Sequence, residues 1–146
     1  MRALWLALVC CLAMCALGVG TAGAQVRVSE VQISDGASYP LSRAFSVLED
    51  KDAKLTLDDI LKPGAQAAFK PLQQSGPGAN FGLTTSAIWL RVKLVTSVSA
   101  PTDWLIEVAY PPLDSIELYS SDGFGFEKQI GGDLQPFASR QYPHRN

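Results

Sequence analysis

The sequence predicts an all-β, mainly antiparallel fold, specifically a jelly-roll-like β-sandwich with one short helix. Apolar and polar residues alternate along 88–94 and again along 104–110, which is the period of a half-buried strand. Short strand-like runs also follow one another closely between turn residues, and helical periodicity is almost absent. Together these features favour a sandwich over a helical or α/β fold.

The first 24 residues are predicted to be a signal peptide. Arg2 gives a positive start, an apolar run covers 3–19, and small residues at 22–24 form a cleavage pattern. Because the apolar run is short for a bilayer span, cleavage after Ala24 is favoured over an uncleaved anchor, which stays the alternative. All three cysteines lie in this segment, so the predicted mature chain has none and depends on its packed core.

Residues 25–44 are predicted to form an N-terminal strand or extended lead-in that ends near a turn at Asp35-Gly36. Further on, Thr56 and Asp59 have the spacing of a helix capping box, and Pro63-Gly64 is expected to end that helix after one or two turns. A polar loop at 73–78 is predicted to lie on the surface.

Four strands are predicted in the second half of the chain, over 88–94, 104–110, 115–120 and 124–130. Asp122-Gly123 is the expected turn of a hairpin between the last two. Residues 45–146 would form the sandwich domain. Because the tail at 140–146 resembles a loop entering another strand, the closing strands are expected to be missing and the chain to be a fragment.

Charge and composition argue against most enzyme and nucleic-acid functions. The net charge of −2 gives no indication of the basic surface that nucleic-acid binding requires. His144 is the only histidine, so with no mature cysteine a zinc site built on His and Cys is not expected, and no motif indicates a cofactor. The acidic residues Glu49, Asp50, Asp52, Asp58 and Asp59 are interpreted as a solvated loop and a helix start.

Glu107 is the one carboxylate that keeps a catalytic alternative open. It is expected in the middle of a strand among apolar neighbours, where a cross-strand pair with Arg91 or Lys93 would explain it. A secreted hydrolase would instead pair Glu107 with a second acidic residue.

The ligand-binding candidates are Trp89, Arg91, Asn80, Glu107 and Tyr110. If the face of Ile88 is the core, then Trp89 and Arg91 point outward or into a cleft, where an indole could stack on a sugar and a guanidinium could bind hydroxyl or carboxylate groups. The alternative is that Trp89 belongs to the core and the arginine lies at its edge. Asn80-Phe81-Gly82 is equally explained as a turn.

A series of segments carries a family resemblance. They are Asn80-Phe81-Gly82, Ser86-Ala87-Ile88-Trp89-Leu90-Arg91-Val92-Lys93-Leu94, Glu107-Val108-Ala109-Tyr110-Pro111-Pro112-Leu113-Asp114-Ser115-Ile116-Glu117-Leu118-Tyr119, Gly132-Asp133, Pro136-Phe137, Arg140 and Pro143-His144-Arg145-Asn146. From about Phe45 to the terminus, this series resembles the type 2 extracellular domain of bacterial seven-transmembrane receptors with diverse intracellular signalling modules.

The resemblance implies a periplasmic jelly-roll related to carbohydrate-binding modules, followed in the whole receptor by seven membrane helices and an output such as a cyclase or kinase. It therefore implies a non-catalytic sensor at the periplasmic face of the inner membrane. Its expected partners are a small-molecule or saccharide ligand and the membrane, through helices absent from this chain, with a homodimer left open. A domain that contacts other envelope proteins is the remaining alternative.

Overall fold

The computed structural model describes residues 29–36, 38–73, 79–110, 112–121 and 123–139. The chain divides into two compact units, Met1–Pro101 and Thr102–Asn146. Within the described ranges it consists mostly of strands with only two short α-helices, so the all-β prediction is confirmed. The predicted signal peptide with its cleavage site at Ala24, most of the loop at 73–78, Asp122 and the tail at 140–146 lie outside the described residues.

The first unit contains two small sheets. Strand β2 (Ser46–Asp50) is the centre of a three-stranded antiparallel sheet, with β3 (Lys70–Pro71) on one side and β4 (Ala87–Arg91) on the other. A separate pair joins β1 (Glu30–Ile33) to β5 (Lys93–Thr96), and these two strands run parallel. The predicted opening strand is therefore present at Glu30–Ile33, but it pairs in parallel with a strand about 60 residues later in the chain, which local periodicity does not reveal.

The core of this unit lies on one face of the three-stranded sheet. Leu48 is buried in β2, and its antiparallel partner in β4 is Trp89. Because directly opposed residues share a face, Trp89 lies on the buried side of the sheet. It packs there against a cluster formed by Leu48, Ile60 and Phe69.

Two consecutive helices supply the other side of this core. Helix α1 (Leu57–Leu61) begins at the predicted capping box: Thr56 Oγ1 accepts from the Asp59 amide at 3.3 Å, and Asp59 Oδ2 accepts from the Thr56 amide at 3.1 Å. A second helix, α2 (Pro63–Ala68), was not predicted. Proline suits the first turn of a helix because its missing amide hydrogen would have no partner there, so Pro63 follows one helix and begins the next.

The prediction of a single strand at 88–94 is wrong, because the chain forms two strands there. Strand β4 ends at Arg91 and β5 begins at Lys93, and the two belong to different sheets. Of the two interpretations of this strand, the one in which Trp89 belongs to the core is confirmed: Trp89 packs against the core cluster, whereas Leu90 is 39% exposed. Pairing with β2 determines this orientation.

The second unit contains an antiparallel hairpin of β6 (Ile116–Ser120) and β7 (Glu127–Gly131), which confirms the predicted pairing. An ion pair of 2.7 Å between Lys128 Nζ and Glu117 Oε1 crosses it. A short 3-10 helix follows at Phe137–Ser139.

The prediction of a strand at 104–110 is wrong. These residues form no ladder with any strand that the structure describes, and most of their apolar side chains are exposed. Alternation reports which residues suit an extended backbone, whereas a strand also needs a partner for its amide and carbonyl groups.

In the described part of the chain, neither helix has the length and apolar composition that a bilayer crossing requires.

Candidate functional site

Arg91 is joined to the helices instead of projecting into solvent. Its guanidinium carbon lies 4.3 Å from the centroid of the Phe69 ring, and its Nη1 donates to Gln66 Oε1. Gln66 in turn donates through Nε2 to the Ile60 carbonyl at 2.7 Å. Burial lowers the pKa of Arg91 from its ordinary value. Arg91 therefore connects the sheet to α2, and Trp89 beside it contributes to the core.

Asn80 forms a turn. Its Oδ1 accepts from the Gly82 amide at 2.9 Å, and Gly82 has a φ of +66°, a conformation that favours glycine. The alternative interpretation of Asn80-Phe81-Gly82 as a turn is thus confirmed. The turn positions the half-buried Phe81 at the edge of the groove described below.

Glu107 and Tyr110 belong to the second unit. Both lie in the segment at 102–110, which has no regular secondary structure, and both are exposed. The prediction that Glu107 sits in the middle of a strand is therefore wrong. Of its two expected cross-strand partners, Lys93 forms an ion pair of 2.6 Å with Glu30, and Arg91 has the contacts given above. A ligand-binding role for Glu107 and Tyr110 stays a prediction.

A groove lies on the face of the three-stranded sheet opposite the core. Its volume is about 460 Å³, within the range of small-molecule sites. The groove is lined by Val47, Glu49, Lys70, Phe81, Thr84 and Ile88, together with Leu48 and Ala68. The outer face of β2 and β4 forms one wall, and the residues just before β4 form another.

This groove was not predicted from the sequence. Val47 and Glu49 alternate with the buried residues of β2, which is the signal that could have placed them on an outer face. The residue that opposes Val47 in β3 is Lys70, and the residue that opposes Glu49 in β4 is Ile88. Those pairings depend on strand register, so the groove is visible only in the folded chain.

A chain of hydroxyl groups holds the Glu49 carboxylate in place. Ser86 Oγ donates to Glu49 Oε1 at 2.8 Å, and Thr84 Oγ1 donates to Ser86 Oγ at 3.0 Å. Thr84 Oγ1 also accepts from the Ser86 amide at 3.1 Å, which fixes the loop before β4. The carboxylate thus has a defined position beside the groove.

Two other acidic residues of the predicted cluster, Asp50 and Asp59, stabilise local structure. Asp50 is buried and its Oδ2 accepts from the Leu55 amide at 2.7 Å. Hydrogen bonds from Lys62 and from Thr56 hold the pKa of Asp59 well below its usual range. The interpretation as a helix start is confirmed for Asp59, whereas Asp50 is the last residue of β2 and is buried, so its interpretation as part of a solvated loop is wrong. Among the residues that the structure describes, no group of three or more His, Cys, Asp or Glu side chains could hold a metal ion.

Comparison with known proteins supports the resemblance found in the sequence. No curated protein matches the chain. The family model described as 7TMR-DISM extracellular 2 matches residues 42–146, which is most of the chain and begins close to the expected Phe45. This family comprises extracellular sensory domains of transmembrane receptors, which places the domain outside the cytoplasm. The chain belongs to the family of 7TMR-DISM extracellular 2 domains.

Proposed function

We propose that this chain is a non-catalytic ligand-binding sensor domain at the periplasmic face of the inner membrane. It binds a small molecule or a carbohydrate-like ligand and passes the signal to membrane segments of its receptor. The observation that carries this proposal is the family match over residues 42–146. The signal peptide predicted at 1–24, with cleavage after Ala24, is the export route consistent with it.

The groove on the outer face of β2 and β4 is the place where such a ligand fits best. It combines apolar surface from Val47, Ile88 and Phe81 with polar groups on Glu49, Lys70 and Thr84, the mixture that small-molecule sites use for affinity and orientation. Asn80 borders it through the turn that holds Phe81. Trp89 and Arg91 support the same sheet from the buried face, so they contribute to the site by fixing its wall.

Signalling follows from differential affinity. A ligand shifts a receptor between two conformations only if it binds one of them more tightly than the other. The sheet wall is held by side chains from α1 and α2, so occupation of the groove stabilises one arrangement of these elements. The receptor segments that follow the domain would respond to that arrangement.

Thermal unfolding of the full chain against a broad panel tests the proposal. The panel contains mono- and oligosaccharides, amino acids, carboxylic acids and amines. A ligand present at about a hundred times its Kd adds ~2.7 kcal/mol to the stability of the folded state. In a domain of this size that raises Tm by roughly 10 °C. We expect at least one class to give a saturable shift; a folded chain whose Tm no class moves would overturn the proposal.

Hydrolysis is measured on the same samples. We expect every ligand that raises Tm to be recovered unchanged after prolonged incubation. Turnover that is lost in Glu107→Gln would instead favour the hydrolase alternative, because that carboxylate is the one retained as its working acid or base.

A further inference from the structure

We infer that the groove binds a zwitterionic small molecule, an amino acid with an apolar side chain, with its ammonium group at Glu49 and its carboxylate at Lys70. The inference rests on the proposed sensor function and names the ligand class and the residues that bind it. It begins from two opposite charges that line one groove without neutralising each other.

Strand register places the two charges on the same face of the sheet. Lys70 opposes Val47, and Glu49 lies two residues beyond Val47 in β2. Residues so related are diagonal neighbours, separated by roughly 7–8 Å. Their charged groups can therefore reach the two ends of an amino-acid head group, in which the ammonium and the carboxylate are attached to one carbon.

Each charge lacks an ionic partner in the described structure. The ion pairs formed by the described residues join Lys62 to Asp59, Lys93 to Glu30 and Lys128 to Glu117, and none involves Glu49 or Lys70. A ligand with both signs would supply both partners at once, whereas an anion or a cation alone would satisfy one group and meet repulsion from the other.

The Glu49 carboxylate is held in a position from which it can bind a cation. Oε1 accepts from Ser86 Oγ at 2.8 Å, and no hydrogen bond from the described residues reaches Oε2. The ordered Thr84–Ser86 hydroxyl pair reduces the freedom that this side chain would otherwise lose on binding. An ammonium donating to Oε2 would form a charge-assisted hydrogen bond, the stronger kind in proteins.

The rest of the groove favours an apolar side chain on the ligand. Val47 and Ile88 on the sheet face the groove together with Phe81 from the turn. A neutral saccharide could offer hydroxyl hydrogen bonds to the two charges but no countercharge, which is why an amino acid fits the lining better. The test therefore compares these two classes directly.

Calorimetric titration of the full chain with three probes separates the two ends of the ligand. The probes are L-leucine, N-acetyl-L-leucine, which lacks the ammonium, and L-leucinamide, which lacks the carboxylate. We expect L-leucine to bind and each analogue to bind at least about tenfold more weakly, because each loses one charge-assisted contact. Equal affinity for all three probes would overturn the inference.

Two variants assign each end to its residue. In Glu49→Gln the preference for L-leucine over N-acetyl-L-leucine should fall to less than about twofold, while the preference over L-leucinamide persists. Lys70→Met should do the reverse. Glu127→Gln and Lys54→Met, which change exposed charges outside the groove, are the matched controls and should keep both preferences. Circular dichroism melts establish that each variant is folded.

The outcomes distinguish this inference from the proposed function. If a saccharide or another class binds the chain and the Glu49 and Lys70 variants bind it unchanged, the zwitterion site is refuted and the sensor function stands. If a saccharide binds and Lys70→Met weakens it, the groove is retained but the ligand class is refuted. If no probe of any class binds the folded chain, both proposals fail.

Discussion

Replacement of Phe69 with alanine probes the packing that holds the sheet against the helices. Phe69 is 1% exposed and forms the core cluster with Leu48 and Ile60. Truncation of a buried phenylalanine costs about 3–5 kcal/mol through lost burial and the cavity left behind. The ring also receives the Arg91 guanidinium at 4.3 Å, a contact worth about 0.5–2 kcal/mol. We therefore expect a loss of about 4 kcal/mol or more.

Such a loss is most of the stability of a typical small domain, which is about 5–15 kcal/mol. Urea unfolding followed by tryptophan fluorescence and far-UV circular dichroism measures it, and Trp89 is a local reporter because it packs on the same cluster. Phe124→Ala is the matched control: that side chain is 99% exposed, so its truncation should change stability by no more than about 0.5 kcal/mol.

A milder variant covers the case in which Phe69→Ala does not fold. Ile60→Val removes one methylene from the same cluster and should cost about 0.5–1.5 kcal/mol. If Phe69→Ala costs no more than Phe124→Ala, the assignment of Phe69 to the core is refuted, and with it the account of how the groove wall is supported.

Three further predictions concern local structure. Thr56→Ala removes the helix cap and should lower the urea unfolding free energy by about 1 kcal/mol. Hydrogen bonds from Lys62 and Thr56 lower the folded pKa of Asp59, so the stabilisation that its carboxylate gives the folded state is complete above about pH 4 and is lost as pH falls. Asp59→Asn should therefore flatten the dependence of the unfolding free energy on pH across that range. Gly132 has a φ of +109°, and a Cβ added there would lie 2.6 Å from the Asp114 carbonyl oxygen, so Gly132→Ala should lower Tm. Gly125→Ala, where the added Cβ meets no obstruction, should leave Tm unchanged.

The candidate site was predicted only in part. The turn at Asn80 was anticipated because an Asx side chain and a nearby glycine act within three residues. For Trp89 and Arg91 the sequence left two orientations open, outward into a cleft or inward with Trp89 in the core and the arginine at its edge. Their actual side of the sheet follows from the pairing of Trp89 with Leu48, 41 residues earlier in the chain. The same pairing turns Glu49 toward the groove.

The sequence by itself determined the features whose causes are local: the capping box at Thr56 and Asp59, the hairpin of β6 and β7, and the family to which residues 42–146 belong. Only the tertiary structure decided where β4 ends, which face of it is buried, why 104–110 makes no ladder, and that Glu49 and Lys70 line one groove. Periodicity specifies two faces of a strand but not their environments, because burial depends on the register chosen with distant strands and on which helices cover the sheet.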